Sequence, residues 1–367
     1  MGRRPTGSVR RTRSGRWQAR VSHLGRQVAI GTYPTRREAT VALAAVQADA
    51  SRGLWVDPAG GRLRLADVAE RWWQTRTGHR LATRVRDREI LDHDVLPALG
   101  RAQLAELTRE AVQDWVNTLA VGWAPSTVRR SYTVLHQILG FAVDEGLLPA
   151  SPAQRVRLPR ARRYEARFLS PEELEALAGA IAPAYRSMVL TMAWATLRLG
   201  EAAGLRQDDL DLHAGRLRVA NNVVETLGQI HEGPPKTAAG RRAMTLPASV
   251  VAELRGHVMR YAGPVYVFPG PEGGALYAEH WRATVWRPAV ARAGLTRLRP
   301  HDLKHTGVAL LAAAGVDAGE IARRAGHADP GFTLAVYGHL FPEGDSNAAR
   351  KLDALRITRL DKERAQP

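Results

Sequence analysis

Three hydrophobic rhythms follow one another along this chain. The first has a period of two. Trp17, Ala19 and Val21 alternate with Gln18 and Arg20, the pattern of a strand with one buried face. Ser14-Gly15 and Gly25 offer turns on either side, and Val28 and Ile30 fall in the next strand. Thr35 with Glu38 three residues on makes a capping box, and Ala39 to Ala50 continues as a helix. Residues 1–57 are therefore expected to form a three-stranded sheet followed by a helix.

The second rhythm is helical and runs from about 63 to 148. Val112, Trp115, Val116 and Leu119 share one helix face. Pro125-Ser126 opens another helix, with Val128, Tyr132, Leu135, Leu139 and Ala142 inside. This predicts a unit of four to five helices over 62–150, whose apolar residues are core rather than binding surface. Pro58-Ala59-Gly60-Gly61 reads as a linker before it, and residues 149–165, with Pro149, Pro152 and an Arg-rich stretch, as a linker after it.

The third unit, 166–344, begins at Ser170-Pro171-Glu172-Glu173, an N-cap with proline at the first helical position and a capping-box Glu. It reads as mostly helical, with a β-ribbon at roughly 215–247 where Leu217, Val219, Met244 and Leu246 lie in strand-like runs. The tail, 345–367, reads as a helix with Leu352, Leu355 and Leu360 as its apolar points. The fold class is thus mainly α with small β elements. The chain shows no internal repeat.

Charge changes the picture. Lys and Arg total 53 against 36 acids in 367 residues, a net of +17. Such a field favours polyanions and salt-dependent binding. Arg makes up 49 of the 53 basic residues, so composition plays a part, but Arg richness does not by itself require net charge. Residues 1–57 carry eleven Arg against three acids, a net of +8, as a backbone-gripping module would. Arg10, Arg11, Arg16 and Arg20 there, and Arg129 and Arg130 on the second unit, are candidate phosphate contacts. For Arg129 and Arg130 a solvated face is an equal reading, and for the first unit the alternative is a small basic fold with no groove preference. No apolar run is long enough to span a bilayer, the N-terminus lacks the apolar stretch of a secretory signal, and no membrane partner is expected. The absence of cysteine excludes disulfides, thiol catalysis and Cys-ligated zinc, and fits a reducing cytoplasm.

The third unit holds a series of chemically capable residues: Leu197-Arg198-Leu199-Gly200-Glu201, then Pro235-Lys236-Thr237, then His301-Asp302-Leu303-Lys304-His305, then Gly326-His327, then Val336-Tyr337-Gly338-His339-Leu340. Singly each has a bland explanation: a surface ion pair for Arg198, solvation for Lys236, capping or core roles for His301 and His327, a core aromatic for Tyr337. Together they supply one phenol nucleophile with several cations and imidazoles. That set can attack a phosphodiester, neutralise its oxygens and protonate the leaving group. His301 and Lys304, three apart, are expected on one helix face.

Order and spacing resemble the tyrosine recombinase (phage integrase) family, whose pattern is Arg, Lys, His-x-x-Arg, His or Trp, and Tyr. The phrase Gly-Arg-Trp-Gln-Ala-Arg, residues 15–20, and its neighbours likewise resemble an arm-type DNA-binding domain. The resemblance covers nearly the whole chain as arm-binding, core-binding and catalytic domains. It implies a site-specific recombinase in which Tyr337 forms a 3′-phosphotyrosyl link and Arg198 grips the scissile phosphate. His301 would take or relay the tyrosine proton, Lys236 would protonate the leaving 5′-oxygen from a ribbon, and His327 would bond a non-bridging oxygen. Neither metal nor other cofactor is implied, because side-chain cations neutralise the charge. The implied partners are double-stranded DNA at core and arm sites and three further copies, forming a tetramer that passes through a Holliday junction. A directionality factor or a host DNA-bending protein could join them. The implied place is the bacterial cytoplasm, at the nucleoid. The tail helix would dock on a neighbouring subunit or on its own domain.

Lys304 departs from the pattern, standing where the family has its second arginine. Lys gives a point charge where Arg gives a planar fork. It could serve natively, slow the enzyme, or leave a DNA-binding protein without cleavage. A relaxing topoisomerase would share the tyrosine chemistry, and the arm-like N-terminus disfavours it. Thr196, where relatives usually have Gly, reads as a packing change. Glu201 fits either orientation of a basic neighbour or a plain surface carboxylate.

Overall fold

The alternation read in the first twenty-odd residues is an antiparallel sheet in order β1-β2-β3 (Thr6–Arg11, Trp17–His23, Arg26–Tyr33), backed by α1 (Arg36–Ser51). The computed structural model describes residues 6–23, 26–51, 60–160, 167–341, 352–354 and 356. Ala19 and Val21 are buried against Ala39 and Leu43 of α1. Gly7 faces the same helix, where a Cβ would lie 2.4 Å from Leu43 Cδ1. The amide of Glu38 donates to Thr35 Oγ1 at 3.2 Å, the expected helix start. Arg10 and Arg20 both reach Gln18 Oε1, at 3.1 and 3.2 Å, so they share the sheet face turned away from α1. Arg11 and Arg16 lie at the β1–β2 turn and bond the carbonyls of Gly15 and Thr32.

The helical unit contains α2 (Leu65–Gln74), α3 (Leu81–Ile90) leading through a π-turn to the short α4 (Leu96–Leu99), then α5 (Arg109–Gly122) and α6 (Pro125–Asp144). Val112, Trp115, Val116, Val128, Leu135, Leu139 and Ala142 are buried in one core, as their spacing predicts. Arg129 and Arg130 are exposed, and Arg129 Nε donates to Pro159 O at 3.1 Å.

The described parts of both stretches read as linkers, from Gly60 and as far as Arg160, are more firmly held than expected, while 58–59 and 161–165 lie outside the described residues. Gly60 is buried with Leu147 Cα 3.0 Å from where its Cβ would stand. After α6, Gln113 clasps Arg157, accepting from its amide at 2.8 Å and donating to its carbonyl at 3.0 Å. Tyr132 Oη donates to Ala153 O, and Ala153 is fully buried. The chain is bound to α5 and α6 as far as Pro159. By contacts it divides into two units, 1–163 and 164–367.

The second unit opens with α7 (Pro171–Ala180), whose Ser170–Glu173 capping box forms in both directions, and α8 (Pro183–Trp194), buried on almost every side. α9 (Leu199–Ala203) follows. The ribbon expected over 215–247 is two sheets. β4 (Leu210–Asp211), β5 (Arg216–Val219) and, later, β8 (Arg242–Thr245) pair with Leu217 opposite Met244. Between them β6 (Asn222–Thr226) and β7 (Gln229–Gly233) form a separate hairpin closed by Leu227-Gly228, both at positive φ, the two-residue turn that suits strand twist. The hairpin packs on α9 at Gly200 and Gly204, where added Cβ atoms would meet Asn222.

Next come α10 (Ala248–Arg260), α11 (Ala278–Trp281) joined by a π-turn to α12 (Arg287–Arg292), α13 (Pro300–Ala313), α14 (Ala318–Ala325) and α15 (Pro330–Tyr337). A core around α8 and a smaller cluster of Val308, Ala312, Ile321, Ala325 and Tyr337 hold these helices. Of the tail, Leu352 lies in a helical stretch and is exposed, while Leu355 and Leu360 lie outside the described residues. Among the described residues no helix is long and apolar enough to cross a membrane.

Candidate active site

The site is built on chain reversals. After α8, Thr196 takes φ +51, a left-handed conformation that costs a β-branched residue about 1–2 kcal/mol. Its Oγ1 offsets part of this by donating to Arg324 O at 3.0 Å. That is more than the packing change read from sequence, because the hydroxyl ties the turn to α14. Two residues later Arg198 caps α9. Its amide and its Nη1 both donate to Glu201, at 3.1 and 2.7 Å, while the guanidinium stays 40% exposed. Glu201 is buried and accepts from Arg242 Nη2 as well, at 3.0 Å. Burial alone would raise the Glu201 carboxyl, but the charge and hydrogen bond of Arg242, the charge of Lys304 and the Arg198 amide outweigh it and hold it below the usual range. Glu201 is therefore an orienting carboxylate.

α13 lies against the end of α8 at Gly307, where a Cβ would stand 1.9 Å from Ala193 O. This contact sets His301 in the first turn of α13 beside Arg198. His301 is exposed at the surface of a cleft of about 740 Å³ that also includes Arg198, Gly200, Asn222 and Arg282. Partial desolvation, the charge that His305 and Lys304 carry when protonated, and the guanidinium groups of Arg198 and Arg299 push His301 down to about 4.

Lys304, expected on the same face of α13 as His301, is enclosed where His301 is exposed. One turn further in, the face of α13 is covered by the end of α14. Lys304 is 2% exposed, and its Nζ donates to Ala325 O. Burial pushes its ammonium down to about 6, helped by Arg198 and Arg242 and opposed by Glu201.

α14 ends at Gly326, at φ +64, and the next residue, His327, turns back to the site. Its Nδ1 meets Thr333 Oγ1 at 2.9 Å. Burial, the charge that Lys304 and His305 carry when protonated, and the guanidinium groups of Arg198 and Arg242 lower it to about 4. Tyr337 ends α15, is 1% exposed, and packs against Phe168. Burial raises its phenol to about 12.

The hydroxyl of Tyr337 meets Nδ1 of His305, and the His305 ring stands edge-on to His301 at 4.7 Å between centroids. The structure thus brings together Arg198, His301, Lys304 and His327, and joins Tyr337 to them through His305. Lys236 is exposed on the connection from β7 to β8 rather than on a ribbon strand. His305 and Arg242 were missed in the sequence. His305 lies four residues after His301, one helical turn on, and Arg242 occupies the inward phase of β8 with Met244. Among the described residues no group of three or more His, Cys, Asp or Glu is arranged to hold a metal.

A helical unit followed by a mixed domain with one tyrosine facing clustered cations is the architecture of a tyrosine recombinase, and known proteins agree. Residues 167–343 match the phage integrase family and residues 65–158 the phage integrase central domain. The chain is 31% identical over 370 residues to the putative prophage phiRv2 integrase of Mycobacterium tuberculosis, covering 96% of each. It is 29% identical over 378 residues to the integrase of Mycobacterium phage D29, covering 96% of this chain and 98% of that one. Among solved structures the Tn1549 transposon integrase in complex with a circular intermediate DNA superposes with TM-score 0.68 at 17% identity, covering 80% of this chain and 99% of that one. The lambda integrase tetramer bound to a Holliday junction gives 0.59 at 14%, covering 88% and 96%. The chain belongs to the phage integrase family and is a site-specific tyrosine recombinase.

Proposed function

We propose that Tyr337 cuts one DNA strand at a time, leaving a 3′-phosphotyrosyl link and a free 5′-hydroxyl, and that reversal of the step on a second duplex completes exchange. The observation that carries this is the hydrogen bond joining Tyr337 to the imidazole cluster beside Arg198. Arg198, Lys304 and His327 are the groups for the non-bridging oxygens, where charge builds up in the transition state. His305 is held below its ordinary value, chiefly by burial, so it is neutral near pH 7 and can receive the Tyr337 proton. His301 is next in line. Lys236 supplies the proton to the leaving 5′-oxygen from its exposed connection, which can approach when DNA is bound.

A tyrosine that is 1% exposed cannot present its hydroxyl to phosphorus where it stands, so the end of α15 must move for cleavage. We assign residues 1–57 to arm DNA, with Arg10, Arg11, Arg16 and Arg20 as contacts. Residues 62–150, with Arg129 and Arg130, go to core DNA, 166–344 to catalysis, and 345–367 to contact with a neighbour. Resemblance to a tetramer on a junction supports four protomers acting in pairs, in the bacterial cytoplasm at the nucleoid.

The test uses nicked suicide DNA carrying the core site. A covalent protein–DNA adduct on a denaturing gel, absent in Tyr337→Phe, supports the reading. Adduct formation undiminished in Tyr337→Phe sinks it. No adduct in the parent but a strong one in Lys304→Arg would mean that cleavage is disabled at that residue.

A further inference from the structure

Arg242 has no part in the chemistry just described, yet its side chain is 4% exposed at the meeting point of three segments that supply it. Its Nη2 donates to Glu201 Oε2 at 3.0 Å and to Thr196 O at 3.2 Å. Its Nη1 donates to Gly240 O at 3.1 Å, and its Nε to Arg324 O at 2.5 Å. Thr196 lies two residues before Arg198. Gly240 closes the connection that carries Lys236. Arg324 lies three residues before His327. Two of the accepting carbonyls, those of Thr196 and Arg324, stand at helix C-terminal ends, where backbone oxygens lack partners and a cation is favourable. Gly326 lets the backbone close over the fork, since a Cβ there would lie 3.0 Å from Arg242 Nη1.

An ion pair with Glu201 would need one edge of a guanidinium. Here every nitrogen is used, on acceptors from four places in the chain, which a lysine ammonium could not match in one plane. We propose that Arg242 is a positioning residue for strand cleavage, whose buried guanidinium joins the Arg198 turn, the Lys236 connection and the His327 turn into one joint and so fixes the spacing of the groups that meet the phosphate. Through Glu201, which Arg198 shares, the joint also sets the direction of the Arg198 fork. Displacements of about 1 Å at reacting groups cost on the order of 100-fold in rate, so the joint acts on the chemical step more than on DNA affinity.

The inference rests on the Tyr337 reading, and one experiment separates the two. Full-length parent, Arg242→Lys and Arg242→Gln are compared for the Kd of intact core-site duplex and for the single-turnover rate constant of adduct formation on nicked DNA. The expected result is a Kd within about 3-fold of the parent for both variants, with adduct formation slowed by about 10-fold in R242K and about 100-fold in R242Q. Should R242Q fail to fold, R242K decides alone, because it keeps the charge and most of the stem. A parental rate in R242K overturns the inference, as does a loss of affinity that accounts for the whole loss of rate. Absence of an adduct in the parent sinks the underlying reading and this one with it. An adduct in the parent with an unchanged rate in R242K sinks this one alone.

Discussion

Replacing Lys304 by Met should make the catalytic unit more stable near neutral pH and abolish part of its pH dependence. Lys304 is 2% exposed, bonded to the carbonyl of Ala325, and held down at about 6 by burial and by Arg198 and Arg242. Between about 6 and the ordinary lysine value of 10.5 the unfolded chain keeps this proton and the folded chain has released it. The unfolded state then binds more protons, so stability rises with pH across that window, by at most ~1.4 kcal/mol per pH unit from this group. At pH 7.5 the folded state carries a cost of up to about 4 kcal/mol. The flexible stem can swing a charged amine toward water, so about half of that is expected. Met keeps the volume but loses the bond to Ala325 O, which costs ~1 kcal/mol. The net expectation is a gain of ~1 kcal/mol at pH 7.5 that reaches zero near pH 9 and becomes a loss of up to ~1 kcal/mol above it. Hydrogen–deuterium exchange of α13 peptides at pH 7, 8 and 9, corrected for intrinsic rates, reads this on the segment concerned. Parallel pH curves for parent and Lys304→Met would refute the reasoning. The same shift has a counterpart in binding. A DNA phosphate beside Lys304 should draw a proton back onto it, so calorimetry in buffers of different ionisation heat at pH 8 should show proton uptake in the parent and less in Lys304→Met.

Three further outcomes are expected. His305→Phe should keep Tyr337 buried yet lose its hydrogen-bonding acceptor, slowing adduct formation by about 100-fold or more at pH 7, and a gain at higher pH, as the phenol ionises unaided, would identify the lost group as a base. Gly307→Ala should destabilise the catalytic unit by ~3 kcal/mol or more, because its Cβ would stand 1.9 Å from Ala193 O, and an unchanged urea midpoint would contradict the close packing of α13 on α8. Replacing Arg10 and Arg20 together by Gln should weaken arm-site binding at all sequences and reduce the slope of log K against log salt by about 2, and an unchanged slope would place the DNA on another face.

Local signals survived into the structure where the contacts are local. The alternation of Trp17, Ala19 and Val21, the Thr35 helix start and the Ser170–Glu173 capping box each involve neighbours in sequence and all form, although the Thr35–Glu38 pair makes the Glu38 amide bond to Thr35 Oγ1 rather than the full reciprocal box. The sequence could not show that the supposed linker after α6 is clasped by Gln113 forty-four residues earlier, since nothing local marks such a pair. The ribbon was read as one because Leu227-Gly228 lacks the Asn or Asp that announces a tight turn. In the site, His301 and His327 each lie within electrostatic reach of Arg198, whereas Lys304 is buried and Lys236 is exposed on the connection between β7 and β8. His305 and Arg242 act through contacts 32 to 82 residues distant, which a spacing pattern does not encode.

The seclusion of Tyr337 beneath Phe168 bears on genome integrity. A protein of charge +17 dwells on DNA of any sequence, and most of what it meets in a cell is chromosome it has no business opening. On the proposed role of Tyr337, its packing among apolar side chains and its hydrogen bond to His305 withhold the cutting group from DNA that is merely held, so lesions at random sites would be limited by keeping the blade sheathed rather than by refusing to bind.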